Sequence, residues 1–228
     1  MTGTLVNVVA IIAGSILGVI FRSNFSDNIE KIVMQGISLA VILIGLDMAL
    51  EVQGSTGMLI VIFSLVLGGI TGELLKIEKR LNMLGESIKA RFNNSNDLFV
   101  QGFVQASLVY CVGAMAIMGA IQEGIQGDPS LLLTKSLLDG TTAIAFASTA
   151  GIGVGFSALP VLLYQGTITL FASRVEMFLT PAVISQLTAT GGLLILGIGF
   201  NILGIAKIKA GNLLPALAYA VILSFFVL

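Results

Sequence analysis

No charged residue interrupts the chain between Leu5 and Phe21, and apolar runs of similar length recur almost to its end. They lie near residues 4–21, 30–50, 57–75, 98–121, 138–157, 160–178, 182–205 and 212–228. A helix needs about 20 apolar residues to cross a bilayer. Inside hydrocarbon every backbone N–H and C=O must be satisfied within the protein, which leaves helices or closed barrels. Unbroken apolar runs, rather than strict alternation, select helices. The expected fold is therefore all-α: a polytopic integral membrane helical bundle of about eight (seven or eight) transmembrane helices, forming one transmembrane domain over residues 1–228.

Composition removes several alternatives. Charged residues make up 10% of the chain and hydrophobic residues 56%. A soluble domain carries about 25% charged residues, so this inventory does not build a water-exposed surface. The formal net charge is −1, and no nucleic-acid partner is expected. Histidine is absent and Cys111 is the single cysteine, which excludes a Cys/His zinc or haem site, a histidine triad and an internal disulfide. No metal or cofactor is expected. The first run lacks a positive leader and an Ala-x-Ala site, and reads as the first transmembrane helix rather than a signal peptide.

Local signals mark several helix ends. Asp27 with Glu30 is a capping pair, and Asp128-Pro129 and Thr180-Pro181 each put a capping residue before a proline. Only Pro160 separates the fifth run from the sixth, so residues 160–178 either span or re-enter. Residues 76–92 differ. Ile77, Leu81, Leu84, Ile88 and Phe92 recur at helical spacing, with Lys76, Lys79, Arg80, Lys89 and Arg91 between them. That pattern predicts an amphipathic helix on the membrane surface, most simply an anchor. Its basic residues place it in the cytoplasm by the positive-inside rule, together with the Arg22/Lys31 loop. The Glu51 and Glu123/Asp128 loops, and residues 122–136 generally, then face outward. The expected location is the inner (plasma) membrane, crossed many times.

Glycines suggest internal helix-hairpin repeats. Gly3, Gly14 and Gly18 match Gly57, Gly68 and Gly72 without a gap, and Gly140, Gly151 and Gly155 match again. The last two of each set have the small-xxx-small spacing that brings helix backbones together. Residues 39–59 also align with 193–213, pairing Gly45 with Gly199 and Asp47 with Asn201, which reads either as an inverted repeat or as chance. The same glycine faces permit internal packing or packing between copies in a homo-oligomer.

Intramembrane polar groups are the functional candidates, because an ionised side chain at the helix centre costs about 2.5–3.5 kcal/mol on insertion scales. Asp47 precedes a helix end whose dipole disfavours an anion. Asp139 opens the fifth run, where capping is the simpler role, and Asn7 lies a turn inside the first. The stretch from Ser148 to Ser157 combines Ser148, Thr149, Gly151, Gly153, Gly155 and Ser157, and Gln165 follows. Such a segment either unwinds to offer backbone groups to a ligand or packs closely with its hydroxyls bonded to its own backbone. The expected substrate- or ion-binding set is Ser148, Thr149, Gly151, Gly153, Ser157, Gln165, Asp47 and Asp139. Gln105, Gln186 and Asn201 are expected as interhelical glue, and Glu73 as an interfacial partner of Lys76.

The opening Gly3-Thr4-Leu5-Val6-Asn7, the stretch from Asp139-Gly140-Thr141-Thr142 to Ser157-Ala158-Leu159-Pro160, Tyr164-Gln165-Gly166 and Gly211-Asn212-Leu213-Leu214-Pro215 resemble the prokaryotic membrane family known as domain of unknown function 554. The resemblance covers essentially the whole chain. It implies a bacterial or archaeal inner-membrane protein, sometimes labelled a transporter, and supplies neither substrate nor catalytic residue. Three functions compete. Transport or conduction of a small solute or ion fits sparse buried polar groups with almost no soluble mass. An intramembrane aspartyl enzyme would pair Asp47 with Asp139, but the Gly-x-Gly-Asp signature is missing, since Asp47 follows Ile44-Gly45-Leu46. A non-transporting subunit of a larger complex is the third. The expectation is a non-enzymatic transporter or channel, with the lipid bilayer and a small solute or ion as partners.

Overall fold

The computed structural model describes residues 1–22, 27–92, 98–177 and 179–227. Among these the regular structure is helical: α1 Thr2–Arg22, α2 Asp27–Ala49, α3 Gly54–Leu75, α4 Ile77–Arg91, α5 Phe99–Cys111, α6 Ala114–Gln126, α7 Ser130–Ala150, α8 Ala158–Leu170, α9 Ala172–Val175, α10 Pro181–Ile202 and α11 Pro215–Val227. Two 3₁₀ segments, Ile152–Ser157 and Ala210–Leu213, precede α8 and α11. Among the described residues, five segments are long and apolar enough to cross a membrane, or six if the bent pair α5 and α6 counts as one. Their outer faces are apolar: α1 exposes Leu5, Val9, Ile16 and Ile20, and α3 exposes Met58, Leu59, Phe63 and Ile70. A surface of this kind requires lipid. The protein is a helical membrane bundle.

Several boundaries depart from expectation. The run at 98–121 is two helices, bent by 59° between Cys111 and Ala114. Gly113 makes the bend, with φ of 154°, a backbone that a side chain rarely adopts. Residues 122–136 are not a loop, because α6 continues to Gln126 and α7 begins at Ser130. Asp139 accordingly lies inside α7, not at its start, and capping is not its role. The Ser130 N–H donates to Asp128 Oδ1 at 3.0 Å, and the Val183 N–H to the Thr180 hydroxyl at 3.4 Å. α2 begins at Asp27, but the Asp27 and Glu30 side chains lie outside the described residues. Residues 77–91 are helical, with Lys79, Arg80 and Arg91 exposed.

The chain divides into two compact units: unit 1 is 1–37, 82–111 and 115–175, and unit 2 is 38–81, 112–114 and 176–228. In unit 1 α1 lies along α7. A side chain on Gly14 would strike the Gly140 carbonyl, and one on Gly18 the Ile144 carbonyl. Contacts rise together along both helices, from Gly3 at Leu132 to Gly18 at Ala147, so the two run the same way. α8 runs opposite to α1, with Gly155 beside Ser15 and Gln165 beside Asn7. α5 runs opposite to α7, with Gly102 against Ala150.

Unit 2 uses the matching glycines on α3. A side chain on Gly68 would meet the backbone of Ala216, and one on Gly72 the Asn212 carbonyl. Gly45 and Gly192 bring α2 and α10 together. The third glycine set behaves otherwise. Gly140 packs against Ala10, whereas Gly151 terminates α7 with φ 79° and ψ −165°, a conformation essentially confined to glycine. Gly151 therefore ends α7 and does not sit inside a continuous helix.

Candidate functional site

The buried polar centre of unit 1 is built by three helices. α7 contributes Lys135 and Asp139, four residues apart and so on one face. They form an ion pair with side chains 8% and 10% exposed. α1 contributes Asn7, whose Nδ2 donates to Asp139 Oδ2 at 2.9 Å and to Gln165 Oε1 of α8 at 3.3 Å. Asn7 and Gln165 are fully buried. The Lys135 ammonium also lies 5.9 Å from the Tyr110 ring centroid, in the last turn of α5 before the bend.

This centre is incompletely satisfied. Asn7 Oδ1 and Gln165 Nε2 have no hydrogen-bond partner, nor do the buried hydroxyls of Thr4 and Thr169. Each buried polar atom without a partner costs about 1–3 kcal/mol. A purely structural ion pair would be expected to close its amides on protein groups. Groups left open in a low-dielectric interior point to a ligand or ordered water.

A second polar contact lies beside the start of α1. Glu123 Oε1 of α6 accepts from the Gly3 N–H at 2.7 Å and pairs with the Met1 ammonium at 3.1 Å, while Glu123 Oε2 has no partner. Ser15, another unpartnered buried hydroxyl of the unit, lies about two turns beyond Asn7.

The sequence candidates divide accordingly. Asp139 and Gln165 belong to one constellation with Asn7. Ser148, Thr149, Gly151, Gly153 and Ser157 lie at the other end of α7 and in the 3₁₀ segment after it. There the Ser148, Thr149 and Ser157 hydroxyls donate to the carbonyls of Ala145, Phe146 and Val154, between 2.6 and 2.9 Å. Gly153 is pressed against the Phe99 carbonyl. An open groove of about 400 Å³ beside this segment is lined by Ile12, Ile16, Ile152, Phe156 and other apolar groups, a surface suited to lipid tails. Asp47 belongs to unit 2 and is exposed. Lys135 and Glu123 were missed. Lys135 fell in the presumed loop, although its four-residue spacing to Asp139, with Leu132, Leu133, Leu137 and Leu138 around it, carried the signal.

Unit 2 has its own polar cluster, and it is closed. Lys209 Nζ bonds both Glu73 oxygens at 2.9 Å, so Lys209 takes the place expected of Lys76. Asn212 Nδ2 donates to Glu73 at 2.6 Å and its Oδ1 accepts the Glu78 N–H at 2.7 Å. The Glu78 carboxylate accepts from the Gly211 N–H at 3.2 Å, yet partial burial outweighs that bond and pushes its pKa up. Asn201 closes its loop through both Ile208 backbone groups, at 2.6 and 2.7 Å. Burial, with the Asp47 charge adding to it, also raises Glu51.

Known proteins place the chain. It is 37% identical over 228 residues to the Bacillus subtilis (strain 168) protein named uncharacterized membrane protein YdfK, covering 100% of this chain and 97% of that one. It is 31% identical over 227 residues to the Escherichia coli (strain K12) uncharacterized protein YqgA, covering 97% and 95%. No solved structure matches. Residues 2–225 match the family described as protein of unknown function (DUF554), and the chain belongs to that family.

Proposed function

We propose that the protein is a multi-pass inner-membrane transporter or channel for a small polar solute or ion, and that Asn7, Lys135, Asp139 and Gln165 form its binding centre. The observation that carries this reading is a buried ion pair whose flanking amides keep an unpartnered acceptor and an unpartnered donor. Intramembrane charges of this kind mark substrate or ion pathways. A ligand with both donor and acceptor groups would complete the set.

Helix directions support the eight-span reading. With residues 76–97 cytoplasmic, eight spans have α1 and α7 running inward and α5 and α8 outward, which agrees with their relative directions in unit 1. Asn7 then lies about 8 Å below the outer start of α1. In this reading Ser148, Thr149, Gly151, Gly153 and Ser157 hold the inner turn that lets α8 return beside α1. Asp47, exposed at the outer end of α2, is available to attract a cation or select against an anion. The role is non-enzymatic. Asp139 faces an ammonium, whereas paired acid–base chemistry would require a second carboxyl.

The test is reconstitution of the full chain into proteoliposomes, with Na⁺, K⁺, chloride, amino acids and small carboxylates offered in turn. Currents or tracer uptake should appear for at least one class and vanish in Asn7→Ala and Gln165→Ala. A folded, reconstituted protein that moves none of them, or variants that leave the flux intact, would sink this reading.

A further inference from the structure

Most of the unpartnered buried side-chain atoms described in unit 1 fall in one row, with the Ser15 and Tyr110 hydroxyls outside it. Glu123 Oε2 and the Thr4 hydroxyl sit at the start of α1, where Glu123 grips the Gly3 N–H. Thr169 belongs to the same level, because Gly124 of α6 packs directly on its carbonyl. One turn along each helix come Asn7 and Gln165, and Asn7 touches Asp139. A helical turn advances about 5.4 Å. Two hydrogen bonds of about 2.8 Å through one water span nearly the same distance. Every group in this row is 7% exposed or less.

The hydroxyls sharpen the point. Elsewhere in the unit Ser136, Thr142, Ser148, Thr149 and Thr167 satisfy themselves on carbonyls three or four residues back. Thr4 and Thr169 have no partner at all. Self-bonding is the ordinary state of a helical hydroxyl in an apolar setting, so Thr4 and Thr169, like Ser15, keep their hydroxyls open to another partner.

We propose that the row from Glu123 through Thr4, Thr169, Gln165 and Asn7 holds a file of ordered waters, and that it carries protons from the outer surface to the Asp139–Lys135 pair. This rests on the transport reading and names its coupling ion. The proton arrives on the Asp139 carboxylate while Lys135 stays an ammonium, so uptake opens the ion pair and release closes it. Beyond Lys135 on its own helix, the titratable groups that face Asp139 are Tyr110 and Cys111 of α5; α1 and α8 present the neutral Asn7 and Gln165, and Tyr164 of α8 interacts with Cys111. Glu123 and the Met1 ammonium stand at the far end of the row.

Infrared difference spectroscopy of the full chain in lipid, after a pH jump, tests this without a known solute. A protonated-carboxyl band should grow on acidification, be missing in Asp139→Asn, and grow about tenfold more slowly in the Thr4→Val/Thr169→Val variant, which keeps shape and loses two water anchors. Glu123→Gln should slow it as well. An Asp139 band that ignores pH, or one whose rate is unchanged in the Thr→Val variant, overturns the proton file. If that happens while Asn7→Ala and Gln165→Ala still abolish solute flux, the transport reading survives; if flux is also missing, both fall.

Discussion

The two units contain the same polar vocabulary and use it oppositely. Unit 2 sets Lys209 against Glu73 with side chains 60% and 59% exposed, and both Asn212 and Asn201 close on backbone or carboxylate groups. Unit 1 buries Lys135 against Asp139 and leaves Asn7 and Gln165 each one group short. An exposed, fully bonded cluster at a turn is what chain fixation needs. A desolvated, open cluster costs stability that packing must offset, and such cost is expected where a ligand completes the set. Unit 2 has unpartnered interior atoms too, on Ser64, Gln186 and Thr188, but its Lys209–Glu73 ion pair is exposed and fully bonded.

The largest expected effect tests the frame both units share. Gly14→Leu should abolish assembly, because its side chain would occupy the Gly140 carbonyl; Gly72→Leu should do the same in unit 2 against Asn212. Gly36 has nothing within 4 Å of an added Cβ, so Gly36→Leu should express and unfold like the parent. Detergent-solubilised yield and unfolding midpoint are the measurements. Equal tolerance at all three positions would remove the close-packing account.

The contrast itself is next. Asp139→Ala strands a buried ammonium and should cost about 3–5 kcal/mol. Glu73→Ala breaks a solvent-exposed pair, which water and salt screen, and should cost far less. Unfolding of each variant in the same lipid or detergent compares them directly. Similar losses would erase the distinction between an open and a closed cluster.

A smaller effect concerns the break after α7. Gly151 holds φ 79° and ψ −165°, so Gly151→Ala should cost about 1–3 kcal/mol through backbone strain. An added Cβ at Gly155 would lie 3.1 Å from the Ser15 side chain, a tight contact that a small shift relieves, so Ala there should be milder. An unperturbed Gly151→Ala would mean that α7 can continue past Ala150.

How far the sequence discloses this arrangement differs by feature. Helical membrane class follows from run length alone, because hydrocarbon leaves the backbone no other open solution. Gly14, Gly18, Gly68 and Gly72 announce close contacts through spacing, and all four make them. Gly151 has the same spacing yet breaks the chain, since glycine serves close approach and unusual φ equally well. Asp139 and Gln165 stand out as polar residues in apolar runs. Their neighbour Lys135 does not, because Lys135, Ser136 and Asp139 together lower the local hydropathy until a buried helix reads as a loop. The bend at Gly113 is silent for a related reason: it falls inside an unbroken apolar stretch without proline.

The smallest effect is a pH response whose sign differs between the units. Asp128, in unit 1, accepts from the Ser130 N–H and from Gln122 Nε2, at 3.0 and 2.6 Å, and these bonds hold its pKa below the usual carboxylate range. Its contribution is therefore complete above the unfolded value of about 3.9 and is lost as pH falls through the folded value. Glu78, in unit 2, is raised, chiefly by burial and against the Gly211 N–H. Its contribution is complete below the unfolded value of about 4.3 and is lost as pH rises through the folded value. Asp128→Asn should flatten the acid limb of the stability curve, and Glu78→Gln should flatten the limb just above it. Unfolding midpoints across that range, at constant ionic strength, read both. A Glu78→Gln variant that loses stability in the acid limb instead would show that its hydrogen bond to Gly211 outweighs burial, as the hydrogen bonds do at Asp128.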